Sequence, residues 1–299
     1  MAVDQGDMRA VSAPAGELVP ALVLLGITAI WGATFLIIQT ALTDSGPLYF
    51  QTLRYVVATA CLVAVSGRHL LGVTRLELFV GLATGVAVAV ANGMQAVALQ
   101  WIPSSTSAFL TALYVPLVPI GQWLFMRERP GNVALVGIAM AFVGMALLAG
   151  PDALDVEAGR GQILTILSTF IIAFEIVAIG AYARRMDPRR VSAVQLVTVA
   201  VITFGAMGVA GEGIPVHTPL LLACAGGLGV ATVAIHVAMY WAQRRLSPTR
   251  ATLIYAMEPV WAGVIGRAVG ERLPLAGLVG AALIVGSIAI NALRFRRLP

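Results

Sequence analysis

Ten runs of predominantly apolar residues take up almost the whole chain: 18–40, 48–66, 77–99, 104–126, 132–150, 161–183, 191–210, 218–242, 248–269 and 275–293. A helix needs about 20 such residues to cross the hydrocarbon core of a bilayer. The connections between runs are short and leave no room for a soluble domain. Composition agrees with this reading. Charged residues make up 11% of the chain and hydrophobic ones 59%, with a mean hydropathy of +0.92; soluble proteins carry roughly 25% charged residues. The expected fold is all-α, a polytopic membrane protein of ten transmembrane helices.

All 19 basic residues are arginine, and lysine is absent. A Walker A phosphate loop requires its lysine, and Schiff-base chemistry requires a lysine amine. A pump driven by its own nucleotide domain and a retinal-type photoreceptor are both excluded. Cys61 and Cys224 fall inside spans and read as small packing residues. The formal charge of +5 is spread over many loops, so no nucleic-acid partner is expected. Residues 1–17 lack the basic region of a cleavable signal and precede a full-length span, as expected of a disordered cytoplasmic tail. Residues 294–299 form a second short tail.

Arginine placement orients the chain, because positive charge is enriched in cytoplasmic loops. One alternate set of connections holds 15 arginines, among them Arg68, Arg75, Arg127, Arg129, Arg184, Arg185, Arg189, Arg190, Arg244, Arg245 and Arg250. The other holds Arg160, Arg267 and Arg272. Both termini are therefore expected in the cytoplasm, which requires an even number of spans.

The chain also repeats itself. At an offset of 143 residues, segment 100–139 matches segment 243–282 at twelve positions, including Gln100/Gln243, Ser104/Ser247, Thr106/Thr249, Pro116/Pro259, Glu128/Glu271 and Arg129/Arg272. Apolar composition explains shared Ala and Leu; it does not explain a mid-span proline and a Glu-Arg pair at one offset. An offset of 141 pairs Pro47 with Pro188 and Arg54 with Gln195. Each half, 18–150 and 161–293, thus holds five spans. Five is odd, so the second half is inverted relative to the first. Inverted repeats are a recurring plan of secondary transporters, with substrate bound near the midplane between the repeats.

The motifs "IWGATF" (30–35), Pro47, "LRYVVATA" (53–60), a proline-bearing fourth span, and "RERP" and "GERLP" ahead of the fifth span of each half resemble the EamA family of the drug/metabolite transporter superfamily. The resemblance covers nearly the whole chain. It implies a ten-span carrier of amino acids, other small metabolites or drugs, working by alternating access, often as an exporter and often coupled to protons.

Ionisable residues inside spans are costly and mark functional positions by default. There are four: Arg54, Glu175, His236 and Glu258. Glu258 is the most central. Tyr255 and Trp261, three residues to either side, are expected to share its helical face. Pro259 removes a backbone donor and frees a carbonyl about four residues earlier. The repeat counterpart reads Val115-Pro116, so the prolines are expected to kink both helices while the carboxyl belongs to one half. Glu258 reads as a substrate or proton site, with a neutral, structurally hydrogen-bonded acid as the alternative.

Thr232, His236, Tyr240 and Gln243 form a polar stripe in the eighth span, suited to a proton relay or carboxylate binding, or to hydrogen bonds between helices. Asn92 and Gln95 in the third span have the same two readings. Arg54 matches the family's arginine; it is expected to snorkel outward or pair with an acid, or to bind a substrate carboxylate. Glu175 is expected in a structural or gating pair near the cytoplasmic end of the sixth span. Trp31, Phe35, Tyr114, Tyr240, Trp241, Tyr255 and Trp261 lie deep enough to wall a site, and ordinary packing suits each singly. Trp101 and Trp123 read as interface anchors. Gly81-x-x-x-Gly85 and Gly266-x-x-x-Gly270 suit close helix packing. Glu128-Arg129 and Glu271-Arg272 are expected to cap helices, with latching of the two closed states as the alternative.

A channel or scramblase requires a more continuous polar lining. A membrane enzyme requires a catalytic set, whereas His-Glu-x-x-His and Gly-x-Ser-x-Gly are absent, and the two aspartates of "PDALD" (151–155) lack diphosphate–metal spacing. No metal or other cofactor is expected, since His69 and His217 sit in loops on opposite sides. The expected activity is secondary transport of a small metabolite such as an amino acid, with multidrug efflux or vitamin uptake as alternatives. The partners are the small-molecule substrate, protons and the lipid bilayer. The chain is expected as a monomer, a dimer being the alternative. Its Ala-, Gly- and Arg-rich composition suggests a high-GC bacterium and hence an inner (plasma) membrane.

Overall fold

The computed structural model describes residues 15–149, 159–268 and 275–295. They form twelve α-helices and, among the described residues, no strand. In order these are α1 (Ala15–Ala41), α2 (Pro47–Ser66), α3 (Arg75–Ala98), α4 (Ser104–Thr111), α5 (Tyr114–Met126), α6 (Asn132–Ala149), α7 (Arg160–Tyr182), α8 (Pro188–Val209), α9 (Pro219–Gln243), α10 (Pro248–Tyr255), α11 (Glu258–Ala268) and α12 (Leu275–Phe295). The "PDALD" segment, Gly270, Glu271 and Arg272 lie outside the described residues, as do most of the N-terminal tail and the last four residues.

Seven helical stretches are long and apolar enough to cross a membrane. The polarity of the bundle matches a lipid surround. Large apolar side chains such as Phe79, Leu124, Phe125, Phe170, Val201 and Phe204 face outward, while Gln51, Arg54, Gln95, Glu175, Gln195, His236 and Glu258 are buried. The protein is a polytopic helical membrane protein.

Helix starts follow local chemistry. Pro47, Pro188, Pro219 and Pro248 each occupy the first helical position, where the missing N–H is harmless. Thr74 and Glu77 form a capping box on α3. Asp187, Thr218 and Ser247 cap α8, α9 and α10 through their side chains.

The fourth and ninth apolar runs, expected as continuous kinked helices, are each broken in two. α4 ends before Ala112 and α5 starts at Tyr114; α10 ends at Tyr255 and α11 starts at Glu258. Pro116 has no N–H for the Ala112 carbonyl, so Val115 N donates to it instead at 3.0 Å, one residue short of α geometry. At the second break Met257 N donates to Ile254 O at 3.0 Å in the same tightened way. Each proline therefore sits near the start of a new helix rather than in the interior of a bent one.

Packing between helices comes in matched sets. α1 packs on α9 and α11, and α7 packs on α3 and α5. α2 packs on α9, and α8 on α3; α4 meets α11, and α10 meets α5. Glycines let the backbones close in. A Cβ on Gly81 or Gly85 of α3 would stand 2.6 Å from Val194 or Thr198 of α8, and one on Gly229 of α9 would stand 2.6 Å from Val57 of α2.

The arginine-rich connections gather at one end of the bundle. There Arg250 pairs with Glu17 at 2.6 Å, Arg190 donates to His69 O and Gly72 O, and Arg184 donates to Arg244 O. At the other end Glu212 accepts from Leu48 N and Tyr49 N, capping α2 from a distant loop, and Thr218 donates to Asp44. Glu128, expected as a helix cap, instead accepts from Gln122 Nε2 at 3.1 Å, and Gln122 Oε1 takes the N–H and hydroxyl of Thr249 at the start of α10.

Candidate functional site

A cavity of about 90 Å³ lies within the bundle, level with the two helix breaks. α1 contributes Trp31, Thr34, Phe35 and Ile38; α2 contributes Gln51 and Arg54; α3 contributes Asn92 and Gln95. Thr111 and Tyr114 flank the first break, and Glu258 begins the helix after the second. Glu175 of α7 and His236 of α9 complete the polar wall. All four ionisable residues singled out within spans thus meet at one cavity.

Arg54 neither snorkels nor pairs with an acid. It is buried, and its Nε donates to Thr232 Oγ1 of α9 at 2.8 Å. The guanidinium also stands 5.3 Å from the Tyr55 ring. Its two terminal nitrogens meet no hydrogen-bond acceptor among the described residues. Long reach explains the difference from snorkelling: an extended arginine anchored by Nε can direct the rest of its planar fork into the bundle, a geometry suited to a carboxylate.

Glu175 is paired with a neutral amide. Its Oε1 accepts from Gln195 Nε2 at 2.9 Å, and Gln195 Oε1 stands 3.0 Å from His236 Nδ1. Because the amide nitrogen is turned to Glu175, the amide oxygen faces His236 and accepts from a protonated Nδ1. Glu175, Gln195 and His236 thus form one hydrogen-bonded line across α7, α8 and α9.

Glu258 stands differently. Its side chain is buried, lines the cavity and has no hydrogen-bond partner among the described residues. Tyr114 Oη and Gln51 Oε1, also in the wall, are buried without partners. Unpaired buried polar groups cost about 1–3 kcal/mol each, so this cavity holds several groups whose partners must come from a ligand or water. Asn92 is tied by Nδ2 to Tyr55 Oη at 2.5 Å, and Gln95 donates to Thr111 Oγ1 at 2.9 Å across the first break.

Three residues expected at the site lie outside it. Tyr255 ends α10 and packs edge-on against Trp31, ring centroids 5.0 Å apart. Trp261 donates from Nε1 to Thr28 Oγ1 at 3.1 Å on α1. Tyr240 bonds Thr84 at 2.8 Å. Tyr255 leaves Glu258's face because the break resets the helical phase between 255 and 258; Trp261 stays in α11 with Glu258, and its indole is taken up by α1. Gln51, Thr34 and Thr111 were not anticipated. Gln51 lies one turn before Arg54, and that i, i+3 spacing was the available signal. Among the described residues, no group of three or more His, Cys, Asp or Glu side chains is placed to hold a metal. Cys61 and Cys224 are unbonded.

A membrane-embedded helical bundle around an inner polar cavity, with helices broken beside it, is the build of a transporter. The chain matches the EamA-like transporter family twice, over residues 18–150 and 159–293, and belongs to that family. It is 26% identical over 291 residues to an uncharacterized transporter of Archaeoglobus fulgidus, covering 97% of this chain and 90% of that one. It is 27% identical over 278 residues to the uncharacterized inner membrane transporter YedA of Escherichia coli, covering 88% and 89%. A protein crystal structure superposes with a TM-score of 0.76 at 18% identity, over 93% of this chain and 99% of its own, a likeness of fold. The protein is a membrane transporter and not an enzyme.

Proposed function

We propose that the protein is a secondary transporter that exports a small, carboxylate-bearing metabolite of amino-acid type across the bacterial inner membrane, in exchange for protons. The observation that carries this reading is the cavity in which Arg54 offers a free guanidinium fork while Glu175 and Glu258 offer carboxyl groups. A zwitterion complements that arrangement: its carboxylate suits Arg54, its ammonium suits a carboxylate, and Trp31, Phe35 and Tyr114 provide an apolar wall for a side chain. Glu258, with no hydrogen-bond partner among the described residues, is the group to exchange a proton for the substrate's ammonium.

Ten spans in two inverted five-helix repeats, with both termini cytoplasmic, supply the movement. Each half carries its own broken helix, and the matched packing sets give two ways of closing the bundle around one site. The doubled family match, the arginine-rich end and the inner-membrane naming of the Escherichia coli relative support this arrangement. The aromatic side of the cavity favours a second reading, efflux of an apolar amine, in which Glu258 binds the cation and Arg54 is a structural group.

Counterflow in proteoliposomes separates the two. Vesicles loaded with unlabelled amino acids and given the labelled counterpart will accumulate label, and Arg54→Gln will abolish accumulation. Accumulation of cationic apolar compounds alone, unaffected by Arg54→Gln, would replace the first reading by the second.

A further inference from the structure

A second cavity, of about 630 Å³, opens between α2, the start of α8 and the end of α9, at the arginine-rich end of the bundle. Its deep walls are apolar, formed by Leu62 and Val65 of α2 and by Val233 and Val237 of α9. Its rim holds His69, Asp187, Arg189, Trp241 and Arg244. The charges on the rim are not balanced. Asp187 is engaged: it accepts from Arg189 N at 3.0 Å and Arg190 N at 3.2 Å, and lies 3.2 Å from His69 Nε2. The guanidinium groups of Arg189 and Arg244 have no acceptor among the described residues. Ser66, in the same wall, is 8% exposed, and its Oγ is buried without a partner.

We infer that this cleft is a binding site for one anionic phospholipid of the surrounding leaflet. Two free guanidinium groups at the membrane-water boundary suit a headgroup phosphate, and Ser66 can donate to an ester oxygen below it. Leu62, Val65, Val233 and Val237 suit an acyl chain lying along the groove between α2 and α9. Basic pockets between helices on the cytoplasmic side are a known mode of headgroup recognition. The tryptophan at the rim suits the headgroup level. The site is separate from the substrate cavity, and the inference does not depend on what the protein transports.

Native mass spectrometry of the purified protein, titrated with phosphatidylglycerol or phosphatidylcholine of identical acyl chains, tests it. The wild type will retain phosphatidylglycerol in preference to phosphatidylcholine. The preference will fall about fivefold for Arg189→Gln or Arg244→Gln and ~25-fold for both. Arg75→Gln/Arg127→Gln, which removes two arginines from outside the cleft, will keep it, and millimolar glycerol phosphate will not displace the lipid. Equal loss in the Arg75/Arg127 variant would reduce the effect to general surface charge and overturn the site. An unchanged preference in the Arg189/Arg244 variant would also overturn it. Displacement by glycerol phosphate would reassign the cleft to a soluble phosphate.

Discussion

At the break between α4 and α5 the residue before the proline is Val115; at the break between α10 and α11 it is Glu258. The backbones are built alike, with a tightened turn followed by a new helix whose early proline needs no donor. The side chains differ completely. The same split separates Arg54 from its counterpart at the 141-residue offset, Gln195. Arg54 holds Thr232 and turns a charged fork into the cavity, whereas Gln195 stays neutral and joins Glu175 to His236. The repeat therefore provides one scaffold twice, and the chemistry is written on it once, unevenly. A symmetric cavity would offer two identical half-sites; this one offers a cationic place and acidic places, as a zwitterion requires.

The largest effect is expected at the charged member of the second pair. A hydrogen bond to a charged group contributes about 1.5–3 kcal/mol, so Arg54→Gln should weaken binding of a carboxylate-bearing substrate by roughly 10- to 150-fold. Gln195→Leu leaves the Arg54 fork, which would meet the substrate directly, in place and removes bonds between protein groups only, so it should cost less than Arg54→Gln. A binding titration of both variants checks the order. Equal losses would mean that the two halves contribute alike.

Next in size are the helix contacts. A Cβ on Gly32 would stand 2.8 Å from Ala262 N and Trp261 Cβ, where α1 meets α11. At the corresponding contact of α5 with α7, a Cβ on Gly121 would meet only Val177 Cγ2 at 3.1 Å. Backbone cannot yield as a methyl group can. Gly32→Ala should destabilise by about 1–3 kcal/mol, and Gly121→Ala by less than about 1 kcal/mol, read as shifts in thermal unfolding in detergent. The reverse order would show that α1 does not hold α11 against the cavity.

The smallest effect belongs to the loops. Burial pushes the Asp187 carboxyl upward, but hydrogen bonds from His69, Arg190 N and Arg189 N and the His69 charge outweigh it and hold the group below its ordinary value. A carboxyl lowered on folding stabilises above its unfolded pKa of about 3.9, and that stability is lost as pH falls through the folded value. Asp187→Asn should cost about 0.5–2 kcal/mol at neutral pH, in the range of a lost helix cap. The gap from wild type should close on acidification below about pH 4. A gap that persists unchanged would assign the loss to packing. On the opposite end α2 has no cap of its own, so Glu212→Ala tests whether the cap supplied from a distant loop matters as much.

Much of the scaffold was legible because lipid imposes a simple rule. Apolar runs of span length mark where the helices lie, except that the fourth and ninth runs are each two helices. Glu258, His236, Glu175 and Arg54 stood out because each is expensive inside a bilayer. Side-chain direction was less legible. Tyr255 is placed by helical periodicity, and periodicity does not survive a break; Trp261 shares α11 with Glu258, but its indole meets Thr28 of α1. Tyr240 stands in the polar stripe of the eighth span, which reads equally as a binding group or as interhelical hydrogen bonding, and Thr84 on another helix is its partner. Gln51 and Thr111 are unremarkable in sequence and become visible only when α2 and the first break close around one space. Gln195 carried a real signal, its register with Arg54, but only the fold places it between Glu175 and His236.

The most direct test of the central claim is proton release when substrate is added to weakly buffered purified protein, for the wild type, Glu258→Gln and Val115→Glu. Proton release by the wild type, absent in Glu258→Gln and retained in Val115→Glu, is the predicted result and would assign exchange to the carboxyl whose repeat counterpart is Val115. Substrate binding without proton release, or release unchanged by Glu258→Gln, would contradict the account and make Glu258 a structural acid.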